Sequence, residues 1–269
     1  MKLLLKKIAY PLIKSRPDFL VIGVQRAATT SLYRYLTQHP QIVVTGKWRE
    51  SYYFDVPENY NKGLGWYLGH FPAKLTKGNK LTFEASPSYL YYPPIPQRIK
   101  QDLGTIKMIA LLRNPVDRAY SAWQMYHNYM NVSLAHLRER ADSRTFAEAI
   151  EQEFKPELNT ATYPYNYIDR GNYAKQLENY YQYFNPETIL ILNFEQFCQD
   201  LEANLTRVCD FLNIAPFPQE MIRQFQTEKY AAANYERKPE DEQLLEQLKE
   251  YYAPENEKLY QTLGTRYDW

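Results

Sequence analysis

Phe19-Leu-Val-Ile-Gly-Val-Gln-Arg-Ala-Ala-Thr-Thr-Ser-Leu32 opens as an apolar run, turns within a few residues, and continues with Leu32, Tyr35 and Leu36 at helical spacing. The pattern predicts a buried strand, a tight loop and an amphipathic helix. A helix that starts after such a loop presents unpaired backbone N–H groups and the positive end of its dipole, which together bind an anion. Set against the phosphate-loop pattern GxxxxGK[ST], Gly23 and Thr30 keep register, but Ala28 stands at the second glycine and Thr29 at the lysine. That lysine reaches the outer phosphates of a nucleoside triphosphate, so its loss counts against ATP or GTP turnover. The cation here is Arg26, inside the loop. Ala27 and Ala28 supply backbone, and Thr29, Thr30 and Ser31 supply hydroxyls at the helix start. Alone, this arginine and these hydroxyls fit ordinary helix capping as well as an anion site.

A second segment of the same kind lies at 107–121, KMIALLRNPVDRAYS. Pro115 suits the first helical position and Asn114 the cap before it, so a strand ends at Leu112 and a helix begins after Asn114. Arg113 then stands at the carboxyl end of a strand, where ligands of open α/β sheets gather, with Ser121 two turns along the helix. An arginine fork with a hydroxyl suits a phosphate monoester. Arg118 reads more simply as a surface salt bridge.

Working outward, strands are predicted at 19–22, 81–83, 107–112 and 189–192. Between and after them, helical spacing joins Tyr173, Leu177, Tyr180, Tyr181 and Phe184, then Leu201, Leu205, Val208 and Leu212, then Leu244 to Tyr252 behind Pro239. Alternating short buried strands and one-faced helices predict a parallel sheet flanked by helices, a three-layer α/β sandwich. The 269 residues form one domain over 17–269 in this reading, with 133–162 as a polar excursion and 1–16 as an N-terminal arm.

Lys and Arg total 32 against 31 Asp and Glu, so the electrostatic footprint of a nucleic-acid binder is missing. The arm is the exception. Its sequence, MKLLLKKIAYPLIKSR, carries Lys2, Lys6, Lys7, Lys14 and Arg16 among apolar residues and no acid. Lys6 and Lys7 interrupt the apolar core that a secretory signal needs, so the arm reads as a segment packed on the domain or lying weakly on a membrane surface. Two cysteines, Cys198 and Cys209, without CxxC spacing, are expected to be buried and reduced, and four scattered histidines without HExxH offer no zinc signature. A cytoplasmic location follows as an expectation, peripheral to the inner membrane face if the arm touches lipid.

Gly23-Val-Gln-Arg-Ala-Ala-Thr-Thr-Ser-Leu resembles the 5′-phosphosulfate loop of the sulfotransferase family, usually G-x-x-K-x-G-T-T, followed by a helix and His-Pro, here His39-Pro40. The 107–121 segment is similar to that family's 3′-phosphate segment. Arg-Gly-Asn-Tyr at 170–173, Phe-Glu-Gln-Phe at 194–197 and Phe211-Leu212 resemble its carbohydrate and bacterial branch. The resemblance implies a P-loop-type fold and sulfuryl transfer from 3′-phosphoadenosine 5′-phosphosulfate (PAPS) to a hydroxyl or amine, releasing adenosine 3′,5′-bisphosphate (PAP), with no metal required. It assigns the donor to Arg26, Ala27, Ala28, Thr29, Thr30, Ser31, Arg113 and Ser121, with Arg237 in a loop that relatives close over the donor.

Lys47-Trp-Arg-Glu-Ser-Tyr-Tyr-Phe-Asp55 resembles the family's K-E-x-H-F-F-D stretch and puts Glu50 at the position of the general base, with Arg26 stabilising the leaving charge. A bare ion pair of Glu50 with Arg49 or Lys47 is the plainer alternative. Arg49, Tyr52, Glu84, Ser86 and Tyr89 are expected along the acceptor cleft, for a sugar, a polysaccharide or a small alcohol or phenol, with packing at the strand end the equal alternative for Glu84, Ser86 and Tyr89. Tyr52 for histidine, and Ala85 where heparan-type members carry lysine, make heparan sulfate a poor default acceptor. Two rival readings stand beside this one: a phosphotransferase using ATP and Mg²⁺, and a non-catalytic nucleotide binder at a membrane surface.

Overall fold

The computed structural model describes residues 10–45, 49–155, 165–227 and 238–269. The chain divides into two compact units, a finer division than the single domain expected: Met1–Leu112 with Gln176–Tyr230, and Arg113–Lys175 with Ala231–Trp269.

In the first unit, strand β1 (Phe19–Gly23) leads into helix α1 (Thr29–Gln38), strand β2 (Phe83–Ala85), helix α2 (Ile95–Leu103) and strand β3 (Lys107–Leu112). The second unit follows with helices α3 (Pro115–Asn128) and α4 (Phe146–Glu153). Helix α5 (Tyr173–Tyr181) carries the chain back to the first unit, where strand β4 (Ile189–Asn193) and helices α6 (Leu201–Leu212) and α7 (Gln219–Thr227) lie. The last helix, α8 (Glu242–Leu263), belongs to the second unit.

The sheet has the order β2-β1-β3-β4 with every pair parallel. All five residues of β1 are buried, as the unbroken apolar run FLVIG requires of a central strand covered on both faces. Phe19 stacks on Phe83 across the β1–β2 pair, ring centroids 4.7 Å apart. Strand β2 starts two residues later than the apolar run suggested, because its register with β1 sets Glu84 opposite Leu20 and Ala85 opposite Val21.

The core of the second unit joins Tyr120, Trp123 and Tyr126 of α3, Phe146 and Ile150 of α4, and Leu244, Leu245, Leu248 and Tyr252 of α8. Arg118 sits fully buried there and donates to the Tyr167 carbonyl, which corrects its reading as a surface salt bridge. Gly171 lies so close to Tyr252 that an added Cβ would fall 2.6 Å from the phenol oxygen, and that phenol donates to the Ile168 carbonyl at 2.7 Å. The stretch expected as an excursion is ordered in part: Thr145 and Glu148 form a capping box that starts α4, and 156–162 lie outside the described residues. Many of the 26 tyrosines are internal, among them Tyr53, Tyr67, Tyr89, Tyr167, Tyr173, Tyr180 and Tyr252. Cys209 is buried as expected, whereas Cys198 is exposed. It follows Phe197, which takes the inward position on its short helix.

Candidate active site

The loop after β1 bends through two left-handed residues, Arg26 at φ 74° and Ala28 at φ 56°. Such backbone favours glycine, so Ala28 occupies the place of the family's glycine at a steric cost of about 1 kcal/mol. Ala28 caps α1 with no side-chain hydrogen bond, and the helix's first turn holds no acidic residue. Side-chain capping therefore does not account for this helix start, and with no acidic residue in its own first turn the helix's N–H groups and positive dipole end suit an anion. Gly23 is held tight for a different reason. A Cβ there would meet Leu90 Cβ at 3.0 Å, because Ser86 N–H donates to Val21 O at 2.9 Å and Leu90 N–H to Ile22 O at 2.8 Å.

Arg49 connects the loop to the candidate base. Its guanidinium donates to the Thr30 hydroxyl and forms an ion pair with Glu50, whose side chain is largely buried. The bare pairing weighed from the sequence is thus present, and its partner Thr30 lies in the first turn of α1. Tyr52 is 40% exposed at φ 52°, directed outward where the family carries histidine.

Glu84, Ser86 and Tyr89 do not line a cleft. Glu84 is 4% exposed and Ser86 and Tyr89 are fully buried. One oxygen of Glu84 accepts from Ser51 N–H at 2.8 Å, Ser51 Oγ at 2.6 Å, Ser86 Oγ at 2.8 Å and Tyr89 OH at 2.8 Å. The neighbouring cavity, with Thr45, Ser51, Thr82 and Glu84 in its wall, measures about 10 Å³, the room of a single water. These three residues are the framework behind the 49–55 stretch, which corrects their expected place against the acceptor. Burial, reinforced by the nearby Glu84 and Asp55 charges, drives the Tyr89 phenol far above its ordinary pKa.

Ser51 and Asp55 emerge as site residues that the sequence left without a role. Burial raises the Asp55 carboxyl above the ordinary carboxylate range, opposed by the Ser88 hydroxyl and reinforced by the Glu84 and Glu50 charges. The family stretch ending in Asp55 was the available signal. His39, after α1, is buried and lowered in pKa by that burial; its Nε2 lies 2.9 Å from Ala215 O and its Nδ1 accepts from Gln41 N–H at 3.1 Å, so Nε2 carries the proton.

In the second unit, Asn114 caps α3 by accepting from Val116 N–H at 3.0 Å, as read from the sequence. Arg113 is half-buried, its carbonyl accepting from Tyr173 OH at 2.9 Å, and Ser121 is buried on α3. Arg237 and Lys47 lie outside the described residues, and no group of three or more metal-ligating side chains is gathered among those described.

The sulfotransferase domain family model matches residues 16–254. Human heparan sulfate glucosamine 3-O-sulfotransferase 5 is 26% identical over 275 residues, covering 97% of this chain and 76% of the relative. Mouse bifunctional heparan sulfate N-deacetylase/N-sulfotransferase 4 is 32% identical over 203 residues, covering 74% of this chain and 22% of that larger protein. Among solved structures, a sulfotransferase from Alicyclobacillus acidocaldarius superposes with a TM-score of 0.68 at 26% identity, over 94% of this chain and 98% of that one.

Proposed function

The chain belongs to the sulfotransferase domain family, and from that premise we propose that it moves a sulfuryl group from PAPS to a carbohydrate hydroxyl or amine, with Glu50 as the base. Arg49 carries the reading, because one guanidinium joins the loop helix, through Thr30, to Glu50. In this scheme the backbone of Ala27–Ser31 and the Thr29, Thr30 and Ser31 hydroxyls hold the 5′-phosphosulfate, while Arg113 and Ser121 hold the 3′-phosphate. The acceptor oxygen or nitrogen bonds to sulfur as the sulfur–oxygen bond to the bisphosphate breaks. Glu50 takes the acceptor's proton, and Arg26 faces the negative charge that grows on the leaving phosphate. Arginine at 26 stabilises that charge without donating a proton to it.

The carbohydrate acceptor rests on the named relatives, one a 3-O- and one an N-sulfotransferase of heparan sulfate. Ala85 has its side chain buried in β2, in the place of the lysine that heparan-type members carry, so the acceptor is read here as a saccharide other than heparan sulfate. Calorimetry with PAP, and separately with ATP and Mg²⁺, tests the donor assignment. Micromolar binding of PAP with ATP ignored, weakened at least about tenfold in Arg113→Ala, is expected. A preference for ATP, or unchanged PAP affinity in that variant, overturns it.

A further inference from the structure

Residues 1–17 and 59–83 contain nine of the 32 basic residues and none of the 31 acidic ones, so the rest of the chain is net acidic. The structure brings the described parts of these two segments together. Lys14 forms an antiparallel bridge with Ala73, Ser15 N–H donates to Pro72 O at 2.9 Å, and the Lys74 ammonium lies 3.4 Å from Pro11 O. Tyr10 packs its ring against Gly69, where an added Cβ would fall 2.7 Å from it.

Beside this docking, three aliphatic residues stay exposed. Leu75 is 98% exposed, Leu12 71% and Ile13 56%. The same stretches carry Arg16, Lys74 and Lys80, all exposed, with Lys14 and Lys77 half-buried. Lys14 is bonded to Phe71 O at 2.8 Å and Lys77 to Asp18 at 3.1 Å. Asp18 is the acid nearest in sequence, and it is held inward by Lys77 and by Thr82 N–H at 2.7 Å.

From this placement we propose that the face formed by residues 11–16 and 73–80 docks on an anionic lipid surface, with Leu12, Ile13 and Leu75 entering the interface and Arg16, Lys74 and Lys80 meeting lipid phosphates. Three aliphatic side chains held outward within a cationic rim match a bilayer's two layers, an anionic headgroup region over hydrocarbon. A soluble polyanion such as a sulfated polysaccharide would engage the rim and give the leucines nothing to enter. The Tyr10, Lys14 and Ser15 contacts to 69–73 fix the two segments as one surface, so the proposal goes beyond a basic arm alone and does not depend on the transferase chemistry.

The test is co-sedimentation of the full chain with vesicles of phosphatidylcholine alone and of phosphatidylcholine mixed with phosphatidylglycerol. The wild type is expected to bind the mixed vesicles and release them at high salt, while Leu75→Asp and the pair Lys74→Glu/Lys80→Glu each lose about tenfold or more. All three positions are exposed, and an unchanged far-UV circular dichroism spectrum and thermal midpoint certify the fold of each variant. Absence of binding to mixed vesicles overturns the proposal. Binding that Leu75→Asp retains but the lysine variant loses also overturns it, as a polyanion contact without lipid insertion, and so does equal binding to the uncharged vesicles.

Discussion

Glu84 receives the backbone N–H of Ser51 at 2.8 Å and the Ser51 hydroxyl at 2.6 Å on a single carboxylate oxygen. Ser51 follows Glu50, so a buried carboxylate on β2 fixes the backbone from which the candidate base projects. We predict that Glu84→Gln, which keeps the shape and removes the charge, lowers kcat at least about tenfold, since hydrogen bonds to a charged group are worth roughly 1.5–3 kcal/mol each. Affinity for PAP should stay within about twofold. A purely structural role would lower thermal stability while leaving kcat and donor affinity to change together.

Glu50→Gln should cut sulfuryl transfer by about 10²–10⁴-fold while PAP binding in calorimetry is kept, as expected of a general base. Full activity in that variant would move the base elsewhere and leave the Arg49 pair as structure alone.

Ala28→Gly should stabilise the protein by up to about 1 kcal/mol, the relief of a left-handed alanine offset by glycine's larger unfolded-state entropy. Urea unfolding measures it. An equal loss of stability would show that the alanine methyl packs usefully in the loop.

Asp142 gives a pH dependence in the second unit. Burial pushes its carboxyl up, but hydrogen bonds from the Arg144 guanidinium, the Tyr167 hydroxyl at 2.9 Å and Arg144 N–H at 3.1 Å outweigh it and hold the pKa below the ordinary value. The folded state therefore prefers the ionised form. Its stabilising contribution is complete above the ordinary carboxylate pKa of about 3.9 and fades as pH falls from there through the lower folded value. Asp142→Asn should cost about 1–3 kcal/mol at neutral pH, with the gap to wild type narrowing below about pH 4. A gap constant with pH in denaturant unfolding would assign the cost to packing.

Much of the frame was legible because its signals are local. β1 and β3 are apolar runs buried on both faces, β4 is an apolar run half-buried at the sheet edge, and the Asn114 cap and Pro115 mark α3 by chemistry confined to a few residues. What the sequence hid was set by partners distant in the chain. Glu84 reads as a polar strand end until donors from 51, 86 and 89 are seen to converge on it, and Arg118 reads as a surface charge until the Tyr167 carbonyl arrives 49 residues later. Cys198 failed in the opposite sense, since average burial says nothing about which side of a six-residue helix a cysteine takes.

The contact between Gly23 and Leu90 constrains the order in which this sequence can drift. With 3.0 Å between an added Cβ and the Leu90 Cβ, an alanine at 23 asks Leu90, whose N–H is bonded to Ile22 O, to give by a few tenths of an ångström. Trimming the outer carbons of Leu90 would not relieve this, because the close approach is to its Cβ. A side chain at 23 is thus tied to a small shift of the 86–90 turn.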